Sequence, residues 1–125
     1  EWVSVNGLVF DVKHHIAAST VPHTSMTAVM RDALWNQLWS AKREQPDADI
    51  IIRAHVHTYQ QFKTALWAGL TMPALQGLGC RFGSRRCSRR VDWGFVWFDV
   101  MDKHNYVIHE EIAVIKDQLP KVIKI

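Results

Sequence analysis

Two stretches decide how this sequence is read: VFDVKHH, residues 9–15, and DIIIRAHVHTY, residues 49–59. Each is a short apolar run that ends in a pair of histidines. Val9, Phe10 and Val12 lead into His14-His15, and Ile50, Ile51 and Ile52 lead through Arg53 and Ala54 into His55-x-His57. Runs this short, rich in β-branched and aromatic residues, read as strands, and the continuous Ile run reads as a buried one. Between them, Met26, Val29, Met30, Ala33, Leu34 and Leu38 recur at three- and four-residue steps. That spacing predicts an amphipathic helix, capped by Thr24 or Ser25 and ending before Pro46. Trp35 and Trp39 lie beside the stripe and either widen the buried face or pack on a neighbour.

Upstream of the first stretch, residues 2–5 and 8–12 flank Asn6-Gly7, a strong hairpin signal because both positions tolerate positive φ. Downstream, short strands are predicted at residues 63–67 and 72–78. Residues 91–100 form a longer one, with Trp93, Phe95 and Trp97 on one face and Val96, Phe98 and Val100 on the other. Both faces are apolar, so this strand is expected inside a sheet or sandwich. A turn at 102–105 leads to an antiparallel partner over 106–115, and residues 119–125 read as an edge strand. The class is α/β, with α+β the alternative: a single domain over residues 1–125, mostly strands with one main helix.

Composition agrees with a soluble globular domain, at 48% hydrophobic and 22% charged residues. No apolar run reaches the roughly 18 residues that suggest a membrane span. The net charge of +3 owes much to Arg81, Arg85, Arg86, Arg89 and Arg90. Such a cluster reads as a solvated loop, or as a contact for phosphate or nucleic acid. Cys80 and Cys87 are too few for a disulfide framework and lack zinc-site spacing. They read as reduced thiols in a cytoplasmic protein, with a local disulfide open to them. The chain starts at Glu1, on a strand pattern and without Met, which leads us to expect a piece of something longer.

The histidines carry the chemistry. Side chains at the C-terminal ends of neighbouring strands converge on the crevice where α/β proteins place their sites, and imidazole is a good ligand for zinc and iron. On extended backbone His55 and His57 would share a face; in a loop they can turn toward different metals. Surface histidines are common without a ligand, and His23, His104 and His109 lack this context and read as non-functional.

The ordered pair VFDVKHH and DIIIRAHVHTY resembles the last two metal motifs of the calcineurin-like metallophosphoesterases. In that family a strand ends in a ligand His, and a later strand ends in Gly-His-x-His. The resemblance runs from Val9 to about His109, and departs at Ala54, where the family has Gly; if that position needs positive φ, Ala is strained there. It implies that His14, or His15 if the alignment slips by one residue, binds one metal together with His55, and that His57 binds a second. It further implies a sandwich of two sheets and two divalent ions (Mn, Fe or Zn) that activate water and clamp a phosphate ester. The family's Asp and Asn ligand motifs are not found in this sequence. The chain is therefore expected to be the C-terminal half of such a domain and inactive in isolation. It should bind metal weakly, and it should self-associate or dock on a partner that covers the missing half. The alternatives are an oligomeric assembly module built from part of that fold, and a nucleic-acid binder acting through Arg81 to Arg90.

Overall fold

The computed structural model describes residues 1–16, 24–75 and 91–113. The described residues form β1 (Trp2–Val5), β2 (Leu8–Lys13), α1 (Thr27–Ala41), β3 (Ile50–Arg53), β4 (Gln60–Lys63), β5 (Ala68–Thr71), β6 (Trp93–Val100) and β7 (Tyr106–Ala113). Five strands make one sheet in the order β1-β2-β3-β5-β4, and β6 pairs with β7 in a second. The centre of the larger sheet is parallel: Lys13 lies beside Arg53, and Arg53 beside Thr71. Its edges, β1 on β2 and β4 on β5, are antiparallel. The class is mixed α/β, as expected, and no described helix is long and apolar enough to cross a membrane.

Strand alternation sorts the side chains onto two faces. Leu8, Phe10, Ile50, Ala68 and Leu70 face the second sheet, where Val96, Phe98, Val100, Tyr106 and Ile108 pack on them. Phe10 meets Phe98 edge to face at 5.2 Å. On the opposite face Ile51 packs with Val29 and Ala33 of α1 and with Ala48. Gly69 of β5 makes that approach possible: a Cβ there would sit 2.5 Å from Val29 Cγ1.

Turns and caps show where local chemistry decides. The Asn6-Gly7 hairpin forms as predicted, with φ of 48° and 84°, and the Asn6 amide donates to Val100 O at 2.8 Å, tying the hairpin to the second sheet. α1 starts later than expected: Met26, rather than Thr24 or Ser25, holds the N-cap position. At the other end, Glu44 N–H bonds to Trp39 O and Arg43 N–H to Ser40 O. This is a Schellman closure whose left-handed residue, normally glycine, is Arg43 at φ 61°. Buried Asn36 then ties α1 to the approach of β3, donating to Pro46 O at 3.0 Å and accepting from Ala48 N–H at 2.9 Å.

Three expectations need correction. The strands predicted at 63–67 and 72–78 are displaced. Residues 64–67 form a turn, in which Thr64 Oγ1 accepts from the N–H groups of Leu66 and Trp67. The real strand, Ala68–Thr71, was hidden because Ala and Gly have low β-propensity and pairing imposes the conformation. Residues 72–75 make only an isolated bridge, Ala74 to Trp93, and 76–78 lie outside the described residues, as do 114–115 and the proposed strand at 119–125.

Second, α1 buries Ala28, Val29, Ala33 and Asn36, while Met30, Leu34 and Leu38 of the predicted stripe face outward. Small residues let α1 approach the sheet, and large apolar side chains are left on its outer side. Third, β6 is covered on one face only: Val96, Phe98 and Val100 pack in the sandwich as expected, while among the described residues β6 pairs with β7 alone. Trp93, Phe95 and Trp97 form an open outer face.

The least accessible polar group is Arg53, 0% exposed at the end of β3. Its Nε donates to Asp32 Oδ2 of α1 and its Nη2 to Asp11 Oδ2 of β2, both at 2.7 Å. Nη1 reaches the carbonyls of Asp11 and Ile52, both at 2.9 Å. Lys13 adds a partly exposed cation 3.4 Å from Asp11 Oδ2, whereas buried Asp11 Oδ1 has no hydrogen-bond partner among the described residues. One guanidinium thus bolts two parallel strands to the helix.

Two consequences are measurable by urea denaturation. Arg53→Met strands two carboxylates and should lower stability by about 3–5 kcal/mol, with much of the loss recovered when Asp11→Leu and Asp32→Leu are added. Arg43→Gly relieves a left-handed side-chain-bearing residue and should raise stability by about 1 kcal/mol.

Candidate metal centre

β2 and β3 are parallel neighbours in register, so Lys13 and Arg53 end side by side, about 4.8 Å apart as adjacent strands are. Whatever follows them leaves the same edge of the sheet. His14-His15 follows one strand and His55 the other. Their rings meet: centroids lie 5.3 Å apart for His14–His55, 4.4 Å for His15–His55 and 4.9 Å for His14–His15. One ligand nitrogen from each of the three lies within 4.8 Å of the others. His14 and His15 are exposed and His55 half-buried. Thus the structure brings both His14 and His15 to His55. His57 stands one step away, its ring centroid 6.4 Å from that of His55.

The loop carrying His55 and His57 has an unusual backbone. Left-handed φ falls on His55 (78°) and His57 (57°), not on Ala54. The Ala-for-Gly departure therefore introduces no strain at that position. Histidine tolerates this region better than most side chains, yet each such residue costs of order 1 kcal/mol and needs its surroundings to hold it. Four hydrogen bonds do so. Ala54 N–H reaches Lys13 O at 3.2 Å, and Asp92 N–H reaches His57 O at 2.9 Å. Tyr59 N–H donates to Asp92 Oδ2 at 2.9 Å, and Thr71 Oγ1 donates to Thr58 O at 2.7 Å. Asp92 was missed in the sequence, where it looks like one more residue at the mouth of a strand. Arg53 and Asp11 were missed as well, although opposite charges inside adjacent apolar runs were a usable signal.

The donor set can be tested against an ion. Three imidazoles around a tetrahedral ion, each bonded at about 2.0–2.1 Å, place their nitrogens about 3.3 Å apart. The cluster is open by at most 1–2 Å more than that, within reach of side-chain rotation for two exposed histidines. Neutral nitrogen donors suit Zn, Cu or Ni far better than Mn. One ion of that kind fits. A second ion bridged by carboxylates does not: among the described residues no Asp or Glu joins the group. Asp99 pairs instead with His109 at 2.9 Å on the second sheet, and His104 lies in the β6–β7 turn, its N–H bonded to Asp102 Oδ1. Arg81, Arg85, Arg86, Arg89, Arg90, Cys80, Cys87 and His23 lie outside the described residues.

The chain matches no protein-family model and no curated protein. Solved structures do match. Entamoeba histolytica Vps29 in complex with Zn2+ superposes with a TM-score of 0.52 at 10% identity, over 90% of this chain and 59% of that one. A single-substitution mutant of the same protein gives 0.52 at 12% identity over the same shares. The likeness is one of fold: this chain has a mixed α/β architecture similar to that of Vps29. It spans about three-fifths of the length of those structures.

Tyr59, two residues past His57, reports on the loop. Its hydroxyl lies 2.8 Å from Gln61 Oε1 and 3.2 Å from Glu110 Oε2. Burial, then the Glu110 charge and hydrogen bond, push the phenol up to about 12. The unfolded chain ionises near 10, so between about 10 and 12 it has lost a proton that the folded chain keeps, and stability falls as pH rises through that window. An alkaline titration of tyrosinate absorbance should show a component near 12 that Tyr59→Phe abolishes and Glu110→Gln moves down.

Proposed function

We propose that this chain supplies the histidine side of a metal-dependent phosphoesterase centre, holding one zinc-class ion between His14, His15 and His55. The observation that carries the reading is the meeting of three imidazoles at the C-terminal ends of two parallel strands. A bound ion of this kind would polarise a phosphate-ester oxygen and raise the acidity of a water molecule. The chain's own contribution is positional. Arg53 fixes the level at which both His runs leave the sheet, and Asp92 and Thr71 hold the His55–Tyr59 loop. His57 stands beside the cluster, its ring centroid 6.4 Å from that of His55.

Ester hydrolysis at two ions, whether Mn, Fe or Zn, would further need carboxylates that the described residues do not bring to the cluster. The proposal is accordingly one of metal binding by this chain, with hydrolysis only in company with such ligands. We place this activity in the cytoplasm, where isolated thiols stay reduced.

A second reading, as an assembly module, rests on a separate observation. Met30, Leu34, Trp35, Leu38 and Trp39 on α1, and Trp93, Phe95 and Trp97 on β6, are exposed. Exposed apolar patches such as these two mark association sites. A nucleic-acid role for Arg81 to Arg90 has no support from the described residues.

Calorimetric titration tests the metal reading. Zinc should bind one to one, about tenfold or more tighter than manganese, and more weakly as the solution is acidified, because imidazole must be neutral to ligate. His55→Ala should abolish binding, and His14→Ala or His15→Ala should each weaken it at least about tenfold. Zinc binding unchanged in His55→Ala would overturn the assignment.

A further inference from the structure

The two apolar faces left open by the fold lie on opposite sides of the five-stranded sheet, because α1 packs on one side and β6–β7 on the other. They differ in charge. On α1, Met30, Leu34 and Leu38 recur every fourth residue and point outward, Leu34 being 57% exposed. Arg31 and Lys42 fall on the same side of the helix as Leu38, with Arg43 just beyond. None of these three cations forms an ion pair among the described residues; Lys42 Nζ lies over the Trp39 ring at 4.8 Å. Asp32 is turned inward to Arg53, and Glu44 and Asp47 are the exposed acids just past the C-terminal end of the helix.

On the second sheet, the register places Trp93, Phe95, Trp97 and Asp99 of β6 beside Ala113, Glu111, His109 and Val107 of β7. The rings form a row, Phe95 to Trp97 at 5.4 Å and Trp97 to His109 at 4.9 Å. Among the described residues, the formal charges on this face are Asp99 and Glu111, with His109 bonded to Asp99.

We propose that these two faces are a matched pair, and that the chain associates with a second copy of itself head to tail: the outer side of α1 seats on the aromatic face of β6–β7 of the next copy. The partner is identified by complementarity. A helix with an aliphatic row and a basic margin meets a sheet with an aromatic row and an acidic margin. Pairing either face with itself would instead bring Arg31 and Lys42, or Asp99 and Glu111, against their like. A helix laid on an open sheet face repeats the packing that α1 already makes on its own sheet. Such a contact is heterologous, so it extends beyond two copies unless a ring closes. The inference deepens the assembly reading and is independent of the metal reading.

Charge reversal tests it, read by sedimentation velocity over a concentration series. All four positions to be changed are exposed, so the fold should persist, with far-ultraviolet circular dichroism as the control. The wild-type chain should self-associate, more weakly as sodium chloride is raised. Arg31→Glu with Lys42→Glu makes both faces acidic, and Asp99→Lys with Glu111→Lys makes both basic. Each variant alone should dissociate at least about tenfold more readily, and an equimolar mixture of the two should associate again. If the Asp99/Glu111 variant associates as the wild type does, the head-to-tail contact is wrong while assembly through another surface stands. A wild-type chain that stays monomeric throughout overturns both.

Discussion

One buried guanidinium organises this fold. Arg53 closes β3 with no exposure to water, and its donors are taken by Asp11 of β2, by Asp32 of α1 and by two backbone carbonyls. An isolated buried charge would cost several kcal/mol, so the geometry has to be met by all partners together. That requirement fixes three things at once: the register of β2 on β3, the depth at which α1 lies, and the level of the sheet edge. The histidines follow directly. His14 is one residue past Lys13 and His55 two residues past Arg53, so the same pairing that buries the charge delivers both His runs to one place. Site and core are consequently coupled, and a change that loosens Arg53 disturbs the imidazoles without touching them.

Much of this was legible in the residues. Asn6-Gly7 dictates its hairpin by the backbone freedom of two positions, and the Ile50–Ile52 run reads as a central strand because nothing polar interrupts it. The convergence of His14 and His55 could be anticipated from two strands ending in histidine. What stayed hidden was set by partners distant in sequence. Ala68–Thr71 has no local preference for a strand; Gly69 is there so that Val29 can approach. The outward turn of Leu34 and Leu38 follows from small side chains elsewhere on α1, which a count of apolar residues ranks too low. The left-handed backbone fell on His55 and His57, held by Asp92 from more than thirty residues away, rather than on Ala54.

The uncovered surfaces and the histidine cluster both lie at the margins of the sheet packing. Three imidazoles suit a single zinc-class ion, and among the described residues no carboxylate joins them to neutralise a pair of ions. A helix apolar on its outer side and a sheet with an aromatic outer face each present surface that water does not favour. The fold is similar to that of Vps29 across 90% of this chain while spanning 59% of that protein.

The most direct test of the central claim is X-ray absorption at the zinc edge on the chain loaded with one equivalent of zinc. The account predicts a first shell containing three imidazole nitrogens at about 2.0–2.1 Å, falling to two in either His14→Ala or His15→Ala. A shell dominated by oxygen, or one with a single imidazole that neither substitution alters, would contradict the convergence of His14, His15 and His55 on one ion.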